Sequence, residues 1–360
     1  MIRRAATSAA AIAVIAAHAA SAQRTVVPKS LSADSATRAA IASRYPRDRS
    51  DTLPAFPLRE LAPGVYAVSG DTGRGVEGRP NAGFLVTPAG VVVIDALASP
   101  GEGRVLMRTI RTVTNAPVRY LVLTHHHPDH TFGAIVFKRV GATIIAHPDR
   151  RTLANIDGDD RLASDWTGLM GLEQMRGFSY ADAPDIAVRH DTLLDVGGHT
   201  IQIVRPGPAH TAGDLMVWLP ADRVLFAGDI LVEDGVSMMV DGSSSAMLGA
   251  LRRIDSLDPR IAVPGHGRLA RQPARLVATT RCYVLALRDT MRRAVADGVR
   301  MGQALDRLPP ADRDRPVSLH SRLRRNAARI YSEMEQALLS TPPSTEALAV
   351  EAGQLAACPR

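Results

Sequence analysis

Residues 124–130 read Thr-His-His-His-Pro-Asp-His, which places imidazole and carboxylate donors side by side. In an extended segment alternate side chains share a face, so His125 and His127 can address one cation while His126 points elsewhere. Pro128 fixes the backbone and is expected to stop an immediate helix. Asp129 and His130 follow it and can serve a second cation beside the first. Nitrogen and oxygen donors without thiolate suit zinc, with iron and manganese as alternatives. A lone histidine is more often a hydrogen-bonded structural residue. Four metal-capable side chains at His-x-His-x-Asp-His spacing, directly after an apolar run, form a site pattern.

Three later positions extend the set. His210 lies in GPAHTAGD, Asp229 in LFAGDIL and His266 in VPGHG. Each is a ligand type at the carboxyl end of an expected strand, where α/β folds place their sites. Other candidates read differently. Asp95, ending VVVIDA, is expected to orient the metal loop by hydrogen bonding rather than to ligate. His147 can support the site or sit in a plain loop. His190 and His199 flank hairpins as surface residues, and Asp214 braces a turn. Met238 and Met239 are pocket or core filler.

The elements that must carry these residues alternate. From Leu58 onward, GVYAVSG and NAGFLVTPAGVVVIDA are short β-rich runs broken by turn residues. GEGRVLMRTIRTV has helical spacing, with Val105, Leu106, Ile110 and Val113 on one side. VRYLVLTHHHPDH is an apolar run ending in the motif, so a buried strand is expected to deliver the histidines to a loop. FGAIVFKRVG is expected as a helix and ATIIAH as a strand. Residues 149–190 mix helix and loop and could cover the site. DTLLDVGGHTIQIVRPG, LMVWLP and RVLFAGDIL are expected strands joined by tight turns and RIAVPGHG a last strand and turn, with a serine-capped helix at SSSAMLGALRRIDSL. Strands alternating with helices and hairpins make a layered α/β fold.

The order THHHPDH, HTAGD, AGD, PGHG resembles the metallo-β-lactamase-fold hydrolases over residues 58–268. That resemblance implies an αββα sandwich of two mixed β-sheets flanked by helices, with metals at one edge. It assigns His125, His127 and His210 to a first zinc, and Asp129, His130 and His266 to a second, with Asp229 bridging both. Aspartate rather than cysteine at position 229 is similar to the glyoxalase II and lactonase branches. The layout, with HTAGDLMVWLP, VLFAGDIL and RNAARIYSEME, resembles quinoprotein relay zinc metallohydrolases. The implied chemistry is hydrolysis of an ester, thioester, lactone or β-lactam/amide-like bond through a hydroxide bridging two metals, with Asp129 handling the proton. The alternatives are a persulfide dioxygenase-like iron oxidoreductase on the same fold and a non-catalytic module stabilised by metal.

Composition bounds the rest. Hydrophobic residues make up 46% and aromatic residues 4%, so the core must rest on aliphatic side chains. The formal charge of +7 comes from scattered arginines, without the clustered charge and interleaved aromatics that a nucleic-acid face requires. The expected partner is therefore a small molecule with an activated carbonyl, and no nucleic acid. Residues 1–22 have the charged start, short apolar stretch and Ala20-Ser21-Ala22 end of a signal peptide, which implies a periplasmic or secreted protein without a membrane anchor. Residues 23–57 are expected to form a flexible leader, 269–340 a helical extension with apolar stripes for packing, and 341–360 a disordered tail. Cys282 and Cys358 belong to no metal motif, and spacing leaves their pairing open.

Overall fold

The computed structural model describes residues 55–70, 79–148, 161–181, 184–233, 235–308, 317–340 and 344–358. The expected signal peptide, and the expected leader up to residue 54, lie outside the described residues. The end of that leader is already docked: Phe56 N–H donates to Thr109 Oγ1 at 2.8 Å, and the Arg79 guanidinium stacks on the Phe56 ring. The folded domain therefore begins slightly before Leu58.

Twelve strands among the described residues form two sheets. The first holds β1 (Leu58–Ala62), β2 (Val65–Val68), β3 (Ala82–Thr87), β4 (Gly90–Ile94), β5 (Val118–Val122), β6 (Thr143–Ala146) and β7 (Ile186–Ala187) in sequential order. It is antiparallel through β4 and parallel from β4 to β7. The second runs β12 (Ile261–His266), β11 (Val224–Val232), β10 (Met216–Leu219), β9 (His199–Val204), β8 (Thr192–Val196), parallel only between β11 and β12. The short β1 and β7 carry too little alternation to stand out in the sequence.

Strand β4 shows why the layers stack. Its five residues are all buried, and successive side chains face opposite sides. Val92 and Ile94 meet Val217, Phe226 and Val263 of the second sheet. Val91 and Val93 meet Leu106, Ile110 and Phe137 on α1 (Pro100–Arg111) and α3 (Ala134–Arg139). Helix α1 starts on Ser99, whose Oγ accepts from Glu102 N–H, with Pro100 in its first turn. The far face of the second sheet is covered by α5 (Ser244–Leu257), α6 (Pro273–Ala296) and α8 (Val317–Leu339), through Trp218, Leu225, Leu251, Val284 and Ile330. This is the expected αββα sandwich with C-terminal helices.

Two expectations change. Pro128 opens the helical turn α2 (Pro128–Thr131) instead of blocking one, because a first-turn proline lacks only an N–H that would go unbonded anyway. The tail expected to be disordered contains α9 (Thr345–Ala356), which caps on Ser344. A Cys282–Cys358 disulfide and an Arg288–Glu351 ion pair at 2.8 Å hold α9 to α6. Helix α7 (Met301–Asp306) lies between α6 and α8 in sequence. Of the segment expected to cover the site, α4 (Arg161–Met170) and the turns after it pack Met175, Phe178 and Tyr180 around Phe132. Gln174 closes this contact, bonding Gly101 N–H and Ser99 Oγ.

Candidate metal centre

All seven expected side chains converge where the two sheets meet. Their donor atoms form interlocking groups: His125, His127 and His210; His125, His130 and Asp229; Asp129, His130 and His266. Within each group the donor atoms lie within 4.8 Å of one another. His210 Nε2 is 2.9 Å from His127 Nδ1, and His266 Nε2 is 3.0 Å from Asp129 Oδ2. Asp229 is central, with its oxygens 3.2 Å from His130 Nε2 and 3.6 Å from both His210 Nε2 and His266 Nε2.

Local backbone explains the convergence. Strand β5 ends at Val122, so the histidines sit on a loop and α2 rather than on the strand itself. Asp229 lies inside β11, where its pairing with β12 shifts register between Gly228 and Val232. Gly228 there has φ +52°, and a side chain at that position would strike Thr124. This bulge turns Asp229 into the site. Gly265 leaves room for that carboxylate, since a Cβ on it would stand 1.8 Å from Asp229 Oδ1. The loop after β4 holds Asp95 at φ 59° and Leu97 at φ 68°, left-handed conformations that cost side-chain-bearing residues energy and cluster at functional sites.

Four imidazoles are anchored through the ring nitrogen that faces away from the cluster. His125 Nδ1 is 3.0 Å from Thr124 Oγ1, and that hydroxyl donates to Asp95 Oδ2 at 2.9 Å. His130 Nδ1 meets the same Asp95 oxygen at 2.8 Å. His210 Nδ1 lies 2.6 Å from the Met238 carbonyl, and His127 Nε2 lies 3.2 Å from Asp241. Such partners fix tautomer and ring direction. Asp95 orients, as expected. Asp214 also braces its turn as expected, accepting from the N–H groups of Ala209, His210 and Thr211. Burial pushes the Asp214 carboxyl up to about 7, working against those donors.

The inward atoms are left over. Among the described residues, His125 Nε2, His130 Nε2 and Asp229 Oδ1 are buried without a hydrogen-bond partner. His130 Nε2 and Asp229 Oδ1 are close neighbours, yet their alignment makes no hydrogen bond. Buried polar atoms are nearly always paired, so three orphans facing one another need a shared partner. A divalent cation satisfies nitrogen and carboxylate donors together, and the residues present fit one. Charge agrees. Burial and the neighbouring His130, His210 and His127 hold the His125 pKa well below the histidine range. Burial, helped by the neighbouring His127 and His130, holds His210 at about 3 against the pull of Asp229. Burial also works to lower the His130 pKa, but Asp129, Asp95 and Asp229 outweigh it and hold the ring well above its usual value. Burial likewise works against a charged His127, but the carboxylates of Asp241, Asp129 and Asp229 raise its pKa, so the acidic groups draw on more than one ring of the cluster.

His126 is buried and stands with His127 and Asp241 in a further donor group that does not include Asp229. His147, His190 and His199 belong to none of these groups. Two site-shaping residues lacked any signal in the sequence. Asn81 Nδ2 donates to the carbonyls of Pro264 at 2.7 Å and Gly267 at 2.9 Å, strapping the His266 turn to the first sheet. Asp241 is the other.

The fold and the clustered donors define a metal-binding α/β sandwich protein. The sequence model of the metallo-beta-lactamase superfamily matches residues 75–266, over half of the chain, and the chain belongs to that superfamily. It is 26% identical over 189 residues to 2,4-dinitroanisole O-demethylase subunit alpha of Nocardioides sp. strain JS1661, covering 51% of each chain. It is 28% identical over 145 residues to hydroxyacylglutathione hydrolase of Rhizobium meliloti strain 1021, covering 40% of this chain and 46% of that one. The chain thus spans about half the length of these relatives. A metallo-beta-lactamase family protein from Thermus thermophilus shares the fold at a TM-score of 0.58 and 20% identity, over 78% of this chain and 95% of that one.

Proposed function

We propose that this chain is an exported dinuclear zinc hydrolase of an ester, thioester, lactone or β-lactam/amide-like bond in a small molecule. The observation that carries the reading is the set of orphaned inward donors, His125 Nε2, His130 Nε2 and Asp229 Oδ1, each backed by an anchored ring or a strand bulge. His125, His127 and His210 would hold one cation and Asp129, His130 and His266 the other, with Asp229 between them. Zinc bound there supplies Lewis acidity that polarises a carbonyl and lets water ionise near neutral pH. Asp129 is 22% exposed while the Asp229 side chain is 6% exposed, so Asp129 is the more solvent-accessible of the two carboxylates. In this reading Asp129 accepts and passes on the proton. The His127 and Asp241 side chains are also solvent-accessible, at 25% and 42% exposure.

The names of relatives support hydrolysis, since one is a hydroxyacylglutathione hydrolase. Export is supported by the Cys282–Cys358 disulfide, because such bonds persist in oxidising compartments. Among the described residues no helix is long and apolar enough to cross a membrane. The test is a panel of small esters, thioesters, lactones and β-lactams, assayed before chelation, after it, and after zinc is restored. Turnover that disappears and returns with zinc is expected. Iron as the bound metal, with no hydrolysis of any member, would instead favour the iron oxidoreductase.

A further inference from the structure

Helix α8 lies beyond the superfamily match, and its apolar stripe alone assigns it to packing. Its polar side chains do something more specific. Asn326 is fully buried, and its Oδ1 accepts from Met239 N–H at 2.8 Å. Its Nδ2 donates to the Ser237 carbonyl at 2.8 Å and to Tyr283 Oη at 2.9 Å. One turn on, Arg329 donates to the Gly242 carbonyl through Nε at 3.1 Å and Nη2 at 2.7 Å. A further turn on, Glu333 accepts from Ser244 N–H at 3.1 Å and from the Ser244 hydroxyl. Positions 326, 329 and 333 share one helix face. Together they staple the segment 237–244 at its start, near its end and at the helix that follows.

Between those staples lie the two groups that aim His210 and His127. The Met238 carbonyl holds His210 Nδ1, and the Asp241 carboxylate meets His127 Nε2. The other donor group hangs from different supports: Asp95 for His130, and the Asn81 strap for the His266 turn. We propose that the C-terminal extension is part of the metal centre, with Asn326 as a positioning residue that sets the geometry of the His125, His127 and His210 group through segment 237–244. This rests on the reading of the cluster as a metal site, but not on any substrate.

The test is metal affinity rather than turnover. Zinc is titrated against a chromophoric chelator with the full-length mature protein, its Asn326→Leu variant and, as a control on the same helix, Tyr331→Phe. The control removes only the Tyr331 Oη bond to the Val299 carbonyl, away from the segment. Asp129→Ala identifies the binding step that belongs to the Asp129, His130 and His266 group. Asn326→Leu is expected to weaken the other step by ~10–100-fold, the usual effect of losing a partner that orients a ligand. The Asp129-linked step should weaken far less, since the stapled segment reaches that group indirectly, through Ser237 Oγ on the carbonyl of the shared Asp229, and both steps of the control should stay unchanged. Should Asn326→Leu not fold, Arg329→Ala, at an exposed position, removes a different staple and is expected to weaken the same step. Unchanged affinity at that step, or equal weakening of both steps, overturns the proposal and leaves the metal site standing. A parent protein that binds no zinc overturns both.

Discussion

Asp95→Asn probes the site through a residue that touches no metal. The Asp95 carboxylate accepts three bonds: Thr124 N–H at 2.8 Å on Oδ1, then Thr124 Oγ1 at 2.9 Å and His130 Nδ1 at 2.8 Å on Oδ2. Through the Thr124 hydroxyl it also reaches His125, so one buried carboxylate directs Nε2 of two imidazoles inward. Asparagine keeps the shape but supplies a single acceptor oxygen. If that oxygen stays on Thr124 N–H, the amide NH2 opposes both donors on the other side. Each lost bond to a charged acceptor is worth ~1.5–3 kcal/mol, or ~3–6 kcal/mol for the pair. Part of this falls on the metal-free fold and part on ligation, because His130 can keep a bond to the amide only by moving its proton to Nε2. The share falling on ligation is expected to lower zinc affinity by ~10–100-fold, which corresponds to ~1.4–2.7 kcal/mol. Chelator competition reads the affinity, and thermal unfolding of the metal-free protein reads the remainder. A variant with parent-like zinc affinity would refute the idea that Asp95 aims His130 and His125, whatever its stability.

Four further outcomes are expected. Gly265→Ala drives a methyl group into Asp229 and should lower zinc content while costing ~1–3 kcal/mol of stability, read by metal analysis and denaturant unfolding. Asp129→Ala should reduce hydrolysis of the best panel substrate by ~10²–10⁴-fold, the usual worth of a positioned proton acceptor; undiminished turnover would move that role elsewhere. Cys358→Ser should loosen α9, which has no fully buried residue and keeps the Arg288–Glu351 pair and half-buried contacts, so amide exchange quickens over 345–356 while the main thermal transition stays in place. Intact mass of protein recovered outside the cytoplasm should correspond to a chain starting at Gln23.

What could be read from the sequence and what could not divide along a physical line. His125, His127, Asp129 and His130 are adjacent in the chain, and an apolar run points them to a strand end. His210, Asp229 and His266 each sit beside glycines at the close of a β-rich run, so local texture marks them as well. Asn81 and Asp241 carry no local mark, and Asn326 lies in RNAARIYSEME, a stretch that gives it no role by itself. Their partners stand 183, 114 and 87 positions away, and only the folded sheets bring them together. The parity argument separated His126 from His125 and His127, although those residues occupy a loop rather than a strand. Helix α9 escaped notice for a related reason: its packing face, at Leu348, Glu351 and Leu355, is only half-buried, and its tether is a cysteine 76 positions earlier.

The central claim is that the converging donors hold two metal ions. Anomalous diffraction from zinc-loaded crystals, recorded on both sides of the zinc edge, tests it most directly. Two peaks are expected, one bounded by His125, His127 and His210 and the other by Asp129, His130 and His266, with Asp229 between them. No peak within that cluster, or a single peak held by His126, His127 and Asp241, would contradict it.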